Sequence, residues 1–277
     1  MHITIAREEL LRPVSLVAGV VERRQTLPIL SFIKIRQAAG RLTLTGTDLE
    51  IEMSVEIPMS EGEAEFTVPA RKLFDICRAL PEGSEIVLTK QGEKIGLKAG
   101  KSRFTLLTLA PRDFPAIDTT TWESALTIHQ SSLKTLFERT QFCMAQQDVR
   151  YYLNGLCLEI GSKRLRAIAT DGHRMAMSDM DAPPSPIERQ LIVPRKGVQE
   201  MARLLQAIEE PAEIQLAPNH LRLRTKDGIV FTTKLIDGRF PDYTKVVPAT
   251  QSKAVGLDRI AFREALARVA ILSMRRC

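Results

Sequence analysis

Arg41-Leu42-Thr43-Leu44-Thr45-Gly46-Thr47-Asp48 returns later in the chain as Arg164-Leu165-Arg166-Ala167-Ile168-Ala169-Thr170-Asp171, an offset of 123 residues from Asp48 to Asp171. Each stretch reads as a strand running into a Thr-Asp turn. Working outward, Val68-Pro69-Ala70-Arg71-Lys72 is matched by Val193-Pro194-Arg195-Lys196, offset 125 at the Val-Pro pair. Each opens an amphipathic stretch, carried by Leu73, Ile76, Cys77 and Leu80 in the first and by Val198, Met201, Leu204 and Leu205 in the second. Arg112-Asp113-Phe114-Pro115 is matched by Gly238-Arg239-Phe240-Pro241 at offset 126. Three ordered landmarks in nearly one register mean a duplicated domain, longer than a solenoid repeat.

Each copy reads as α+β. The first opens with strand-like Ile3-Thr4-Ile5, then a helix with Leu10, Leu11, Val14 and Val17 at helical spacing, then alternating strands such as Leu42-Thr43-Leu44. The second repeats the order: Leu126-Thr127-Ile128, a helix with Leu133, Leu136 and Phe137, then strands such as Gly155-Leu156-Cys157-Leu158 and Leu221-Arg222-Leu223. The expected fold is therefore a tandem pair of α+β domains, each with two helices packed on antiparallel sheet. Pro69 and Pro194 stand where a strand gives way to a helix, and a missing N–H does least harm there. Pro13 falls inside the first helix, which is expected to be short, bent or begun late. The domains are expected at residues 1–121 and 125–247. A third beginning follows at 254–277, with Ala254-Val255-Gly256-Leu257 as its strand and Ile260, Phe262, Leu266, Val269 and Ala270 on the apolar side of its helix. A lone strand and helix bury too little surface to fold as a domain, so this segment reads as the remnant of a third copy.

Composition narrows the function. Of 277 residues 44% are hydrophobic and 26% charged, the balance of a globular chain rather than a disordered or fibrous one. The net charge of +6 invites a nucleic-acid reading, but residues 1–121 hold 16 Lys/Arg against 16 Asp/Glu, residues 122–250 hold 17 against 15, and 251–277 hold 6 against 2. A DNA-facing surface must therefore come from local clusters of cations. No run approaches the roughly 18 apolar residues of a membrane span, and the first residues lack a signal peptide's pattern, so a cytoplasmic protein is expected. Cys77, Cys143, Cys157 and Cys277 form no C-x-x-C spacing, against a disulfide framework or a zinc site. Asp171 and His173 suggest an orienting pair, yet no elbow motif accompanies them and Asp48 holds the same place in the first copy without a histidine. Turn chemistry explains the repeated Asp better, and a lone His between Gly and Arg reads as structural. With no P-loop, dinucleotide fingerprint or metal-ligand cluster, no catalytic residue, metal or cofactor is expected.

Longer motifs carry a resemblance. Thr26-Leu27-Pro28-Ile29-Leu30, Thr45-Gly46-Thr47-Asp48-Leu49-Glu50, Gln147-Asp148-Val149-Arg150-Tyr151-Tyr152-Leu153-Asn154-Gly155, Ala169-Thr170-Asp171-Gly172-His173-Arg174 and Asp237-Gly238-Arg239-Phe240-Pro241-Asp242-Tyr243 are similar to the bacterial DNA sliding clamp family, the beta subunit of DNA polymerase III. The resemblance implies a non-catalytic processivity factor of three like domains, two copies of which close head to tail into a ring around duplex DNA. It runs to about Ser273 and covers only the start of the third domain. Ring closure is therefore expected to be defective, and a monomeric module that binds only partner peptides is the alternative.

A ring that slides must meet phosphates without reading bases. The candidates are cations at helix starts, Arg71, Lys72 and Arg78 in the first copy, with Arg195, Lys196 and Arg203 taken as their counterparts. Arg150 joins this phosphate-facing set, and the resemblance adds Arg24, Gln147, Tyr151 and Tyr152; for the tyrosines, half-buried packing is the competing reading. It also implies an apolar pocket for peptides of the replicative polymerase alpha subunit, the clamp loader, and other clamp-motif polymerases and repair proteins. This chain supplies Leu153, Thr170, Gly172, His173, Arg174, Met175, Pro241, Lys245 and Val246 there, with Met175 and Lys245 where the family pattern has Leu and Arg. A subunit interface is implied at Lys101, Arg103, Leu106, Leu107, Ile271 and Leu272, where the first domain of one subunit meets the third of the other. Without that partner surface the chain is expected to be monomeric or weakly self-associating.

Overall fold

The computed structural model describes residues 2–21, 27–117, 121–185, 187–248 and 253–272. Arg24 lies outside them. These residues fall into two units, one ending at Phe240 and one running from Pro241 onward.

In the first unit one order of elements occurs twice. The first copy runs β1 (His2–Ala6), α1 (Arg7–Val20), β2 (Phe32–Ala38), β3 (Arg41–Thr47), β4 (Ile51–Pro58), β5 (Ala64–Pro69), α2 (Ala70–Ala79), β6 (Glu85–Gln91), β7 (Lys94–Ala99) and β8 (Ser102–Leu107). The second runs β9 (Glu123–His129), α3 (Gln130–Glu138), β10 (Gly155–Ile160), β11 (Arg164–Thr170), β12 (Met175–Asp181), β13 (Arg189–Pro194), α4 (Arg195–Leu204), β14 (Pro211–Ala217), β15 (His220–Thr225) and β16 (Ile229–Lys234). All pairings are antiparallel. One four-stranded sheet has the order β1-β6-β7-β8 and another β12-β11-β10-β13. An eight-stranded sheet, β5-β2-β3-β4-β16-β15-β14-β9, takes half its strands from each copy.

The alternation read from the sequence explains the core. Leu42 and Leu44 of β3, Ile33 and Ile35 of β2 and Met53 of β4 point inward at period two, and Leu10, Val14 and Val17 of α1 meet them at helical spacing; all are fully buried. Each such side chain contributes about 1.5–3 kcal/mol. At the tightest point α1 lies on Gly46, where an added Cβ would stand 2.7 Å from Val17 Cγ1. Leu133, Leu136 and Phe137 of α3 and Val198 and Met201 of α4 fill the same role in the second copy.

Pro13 departs from expectation. α1 runs 14 residues with Pro13 inside it, neither short nor late. The ring removes one backbone donor, but Pro13 is itself buried with Leu10, Val14 and Val17, and that packing offsets the lost bond.

The repeated Thr-Asp turn is the same object in both copies, bond for bond. Thr47 Oγ1 donates to Ile51 O at 2.7 Å and accepts from Leu49 N at 3.0 Å, while Asp48 Oδ1 accepts from Glu50 N and Ile51 N at 2.9 and 2.8 Å. Thr170 Oγ1 donates to Arg174 O at 2.8 Å and accepts from Gly172 N at 3.1 Å, while Asp171 Oδ1 accepts from His173 N and Arg174 N, both at 3.0 Å. The third residue must turn left-handed. Gly172 does so at φ 88°, and Leu49 is held there at φ 79°. A leucine in that region is strained by about 1–2 kcal/mol. Leu49→Gly should therefore raise stability by about 1 kcal/mol in denaturant melts, part of the relief being offset by glycine's larger unfolded-state entropy; a loss of stability would mean that the half-exposed leucine packs more than it strains.

In the second unit, Asp242 caps a short 3-10 turn at Tyr243–Lys245 by accepting from Thr244 N, and α5 (Arg259–Ala270) is capped by Asp258, which accepts from Ala261 N at 2.8 Å. The strand expected at Ala254–Leu257 does not form, because no strand partners it among the described residues. None of the α5 side chains is buried. Among the described residues no helix is long and apolar enough to cross a membrane.

Candidate nucleic-acid interface and partner-peptide site

α2 and α4 superimpose by their ends. Pro69 and Pro194 are the N-caps, and at the C-caps Leu80 N donates to Ile76 O and Leu205 N to Met201 O. This register corrects the pairing of cations by one residue: Arg71 corresponds to Lys196 and Arg78 to Arg203, while Ala70 faces the place of Arg195 and Lys72 that of Gly197. A two-residue Arg-Lys match outweighed the Val-Pro landmark in the sequence comparison, whereas the helix ends leave no choice.

The two helices also use their cations differently. Arg71 and Lys72 are exposed and, among the described residues, have no hydrogen-bond or ion-pair partner. Arg78 sits 3.5 Å from Asp75 on an exposed face and over the Phe74 ring. In α4 the cations are engaged: Arg195 Nη1 donates to Met144 O at 2.9 Å, and Arg203 donates to Glu200 Oε2 at 3.0 and 2.6 Å. Lys196 is ion-paired with Asp48 of the first copy's turn, whose side chain is only 5% exposed. Sequence reading missed that contact, since Asp48 and Lys196 are 148 residues apart.

The Gln147–Leu153 segment and the second Thr-Asp turn form one constellation. Asp148 N donates to Asn154 Oδ1 and Asn154 Nδ2 to Asp148 O, both at 2.9 Å, closing the loop. Arg150 grips Asp148 through Nε and Nη2 at 3.0 and 2.8 Å and reaches Asp171 O at 3.4 Å. The Arg150 side-chain bonds hold the Asp148 carboxyl at about 2, well below the usual range. Burial pulls Asp171 upward, but the N–H groups of His173 and Arg174 and the Arg174 guanidinium outweigh it and bring it to about 2. Arg174 Nε lies 2.9 Å from Asp171 Oδ2, and its guanidinium stands 6.0 Å from the exposed Phe142 ring. Phe142 carried no signal in the sequence.

Tyr151 and Tyr152 meet edge to face, ring centroids 5.7 Å apart, in a 3-10 turn before β10. Tyr151 is exposed and lies beside Gly238, and Tyr152 is half-buried. Gln147 is exposed, with φ 56°. The same turn drives Leu153 inward to 2% exposure, so it supports the surface from below and does not present itself as pocket wall, a correction to the expectation. Thr170 and Met175 are half-buried and Gly172, His173 and Arg174 exposed. His173 meets Asp171 through its backbone N–H, so the two form a turn rather than an acid–base pair. Pro241, Lys245 and Val246 belong to the second unit, all exposed, with Lys245 Nζ 3.3 Å from Asp242.

Lys101, in the turn before β8, and Arg103 and Leu107 on β8 are exposed, but Leu106 is 4% exposed and pairs with Ile95 inside the core. It is thereby corrected from an interface residue to a core residue, because the pleat turns it away from solvent. Ile271 and Leu272, in the second unit, are exposed. Among the described residues no group of three acidic, histidine or cysteine side chains is placed to hold a metal. Cys77, Cys143 and Cys157 are buried, and burial pushes the Cys77 thiol up to about 11, so it carries no thiolate for nucleophilic chemistry.

These features have close counterparts. Residues 1–118 match the N-terminal domain of the DNA polymerase III beta subunit and residues 127–242 its central domain. Over 276 residues the chain is 51% identical to the beta sliding clamp of Pseudomonas putida, spanning 99% of this chain and 75% of that protein. To the beta sliding clamp of Escherichia coli it is 46% identical over 275 residues, again 99% and 75%. The crystal structure of the DNA polymerase III subunit beta from Pseudomonas aeruginosa superimposes with a TM-score of 0.95 at 49% identity, covering all of this chain and 76% of that one. The sliding clamp of Caulobacter crescentus gives 0.92 at 37%, covering 99% and 75%. The chain belongs to the DNA polymerase III beta-subunit family, the bacterial sliding clamps.

Proposed function

We propose that this chain is a DNA sliding clamp, a non-catalytic accessory subunit that holds the replicative polymerase and other replication and repair proteins on duplex DNA in the cytoplasm. The observation that carries it is the doubled α+β domain itself, which matches clamp structures over the whole chain. We assign clamp domains to residues 1–121 and 125–247 and the start of a third to 254–277. Duplex DNA is met by Arg71, Lys72, Arg78, Gln147, Arg150, Tyr151, Tyr152, Arg195, Lys196 and Arg203. Clamp-binding peptides are taken by the Thr170–Met175 turn, supported by Leu153. The exposed apolar Phe142 ring and the Arg174 guanidinium suit a short peptide with apolar and acidic side chains.

Tethering is the property to test. A labelled peptide from the clamp-binding segment of a replicative polymerase alpha subunit should stay on bead-bound duplex only when the chain is present. Peptide bound by the chain but never retained on DNA would replace this reading with the peptide-binding module, and no peptide binding at all would sink both.

A further inference from the structure

β13 ends its sheet, and its outer edge is only partly covered. Ile236 N donates to Ile192 O at 2.9 Å, so Ile192 turns its backbone groups away from β10. In an antiparallel pair alternate residues point the same way, and Gln190 therefore directs its N–H and C=O outward as well. Neither group has a partner among the described residues. The edge borders a cavity of about 410 Å³, closed on its other sides by the β14–β15 turn and by the chain that leaves β16.

Cations meet in this cavity over an apolar wall. Arg189 Nη2 donates to Pro218 O at 2.8 Å, a bond that fixes the guanidinium without neutralising it. Lys234 Nζ stands 3.6 Å from Glu50 Oε1, and Asp237 lines the same cavity. His220 brings a buried Nε2 that has no hydrogen-bond partner among the described residues. Burial, with Lys234 and Arg222 nearby, lowers its pKa against a weaker opposing pull from Glu50, so the imidazole is neutral at neutral pH. Arg189 and Lys234 thus balance Glu50 and Asp237, and one further carboxylate is matched by a proton on His220. The first copy is built differently. Lys94 faces Leu107 as His220 faces Lys234, and Gln37 faces Ala64 as Ile160 faces Arg189. Ala64, Glu65 and Leu107 therefore stand where the second copy has Arg189, Gln190 and Lys234, so the fold itself does not require these cations.

We propose that β13 docks a short extended peptide of a partner protein, its backbone paired with Gln190 and an acidic side chain held among Arg189, His220 and Lys234. Gln190 can exchange both backbone bonds with one peptide residue, which adds a strand to the β12-β11-β10-β13 sheet. Leu235 and Ile236 give the flanking side chains an apolar wall, suited to β-branched residues. Phosphate dianions and nucleic acid fit less well, because Glu50 and Asp237 leave the cavity without the excess positive charge that they need. The site shares no residue with the Thr170–Met175 turn or with the cations assigned to duplex DNA, and it lies wholly in the first unit.

The end-blocked, fluorescein-labelled peptide Thr-Val-Glu-Val-Thr should bind the full chain in anisotropy titrations without DNA. Glutamine in place of its glutamate, and Lys234→Gln in the protein, should each weaken binding at least about tenfold, the loss of one charge-assisted hydrogen bond. N-methylation of alternate peptide amides should weaken it at least about tenfold in one register and little in the other, since only one set of amides can face Gln190. These peptide changes leave the protein's folding untouched. Affinity should rise about threefold from about pH 7.5 to about pH 5.5, where His220 takes up its proton while the peptide carboxyl stays ionised, and His220→Gln should flatten that profile. An excess of a polymerase alpha-subunit clamp-binding peptide should leave the probe in place. No binding, indifference to the glutamate, tolerance of methylation in both registers, or displacement by the clamp-binding peptide would each overturn the proposal. Free acetate competing as well as the peptide would overturn it too, leaving a site for small anions.

Discussion

Raising salt from about 50 to about 200 mM should weaken the binding of this chain to duplex DNA by about a thousandfold or more, and equally for any base sequence. Arg71, Lys72, Arg78, Arg150, Arg195, Lys196 and Arg203 supply enough cations to displace that many condensed counterions, and log K falls by about 0.9 per phosphate neutralised for each tenfold rise in salt. The residues to substitute follow from the structure. Arg71 and Lys72 have no protein partner among the described residues, so Arg71→Gln with Lys72→Gln should lower the salt slope by about two while leaving the melt unchanged. Lys196 is a poor probe despite its matching helix position. Its removal strips the cation from a nearly buried Asp48 and confounds folding with binding. Binding measured by anisotropy that ignored salt, or a slope untouched by the double substitution, would remove α2 from the DNA surface.

Phe231→Ala should destabilise the protein by about 3–5 kcal/mol, the largest single-residue effect expected, whereas Phe104→Ala should cost less than about 1 kcal/mol in dilute solution. The two phenylalanines hold equivalent places in the repeat. Phe231 is enclosed at the β4–β16 junction and Phe104 lies on a free edge. Because the junction makes one sheet of two copies, Phe231→Ala should shift a single transition. Trp122, the only tryptophan, sits over Arg222 in the second copy, and its fluorescence should move with the circular dichroism of the whole chain. Separated transitions would show that the copies unfold independently across the junction.

The sequence alone determined the parts that depend on local order. Repetition of Thr-Asp, Val-Pro and Phe-Pro landmarks announced two copies of one α+β domain, since each motif is a backbone instruction read over a few residues: a capped turn, a strand-to-helix change, a loop exit. The bland readings of Asp171 and His173 followed from the same chemistry, and the turn's hydrogen bonds agree with them. For Tyr151 and Tyr152 the sequence left two readings open, the DNA contact implied by the resemblance and half-buried packing, and local order does not distinguish the exposed Tyr151 from the half-buried Tyr152.

Tertiary structure decided everything that depends on what lies opposite. It buried Leu153 and Leu106, which sequence reading had placed at surfaces, because a 3-10 turn and a pleat settle direction only once the neighbouring elements are in place. It carried α1 through Pro13, since the burial of the proline with Leu10, Val14 and Val17 outweighs one missing donor. It gave Lys196 to Asp48 while leaving Arg71 open, a distinction between equivalent residues that no local pattern contains. The same holds for Phe231 and Phe104: an alternating strand specifies which side chains share a face, but not whether another strand will close the edge beside them, and that depends on backbone groups more than a hundred residues away.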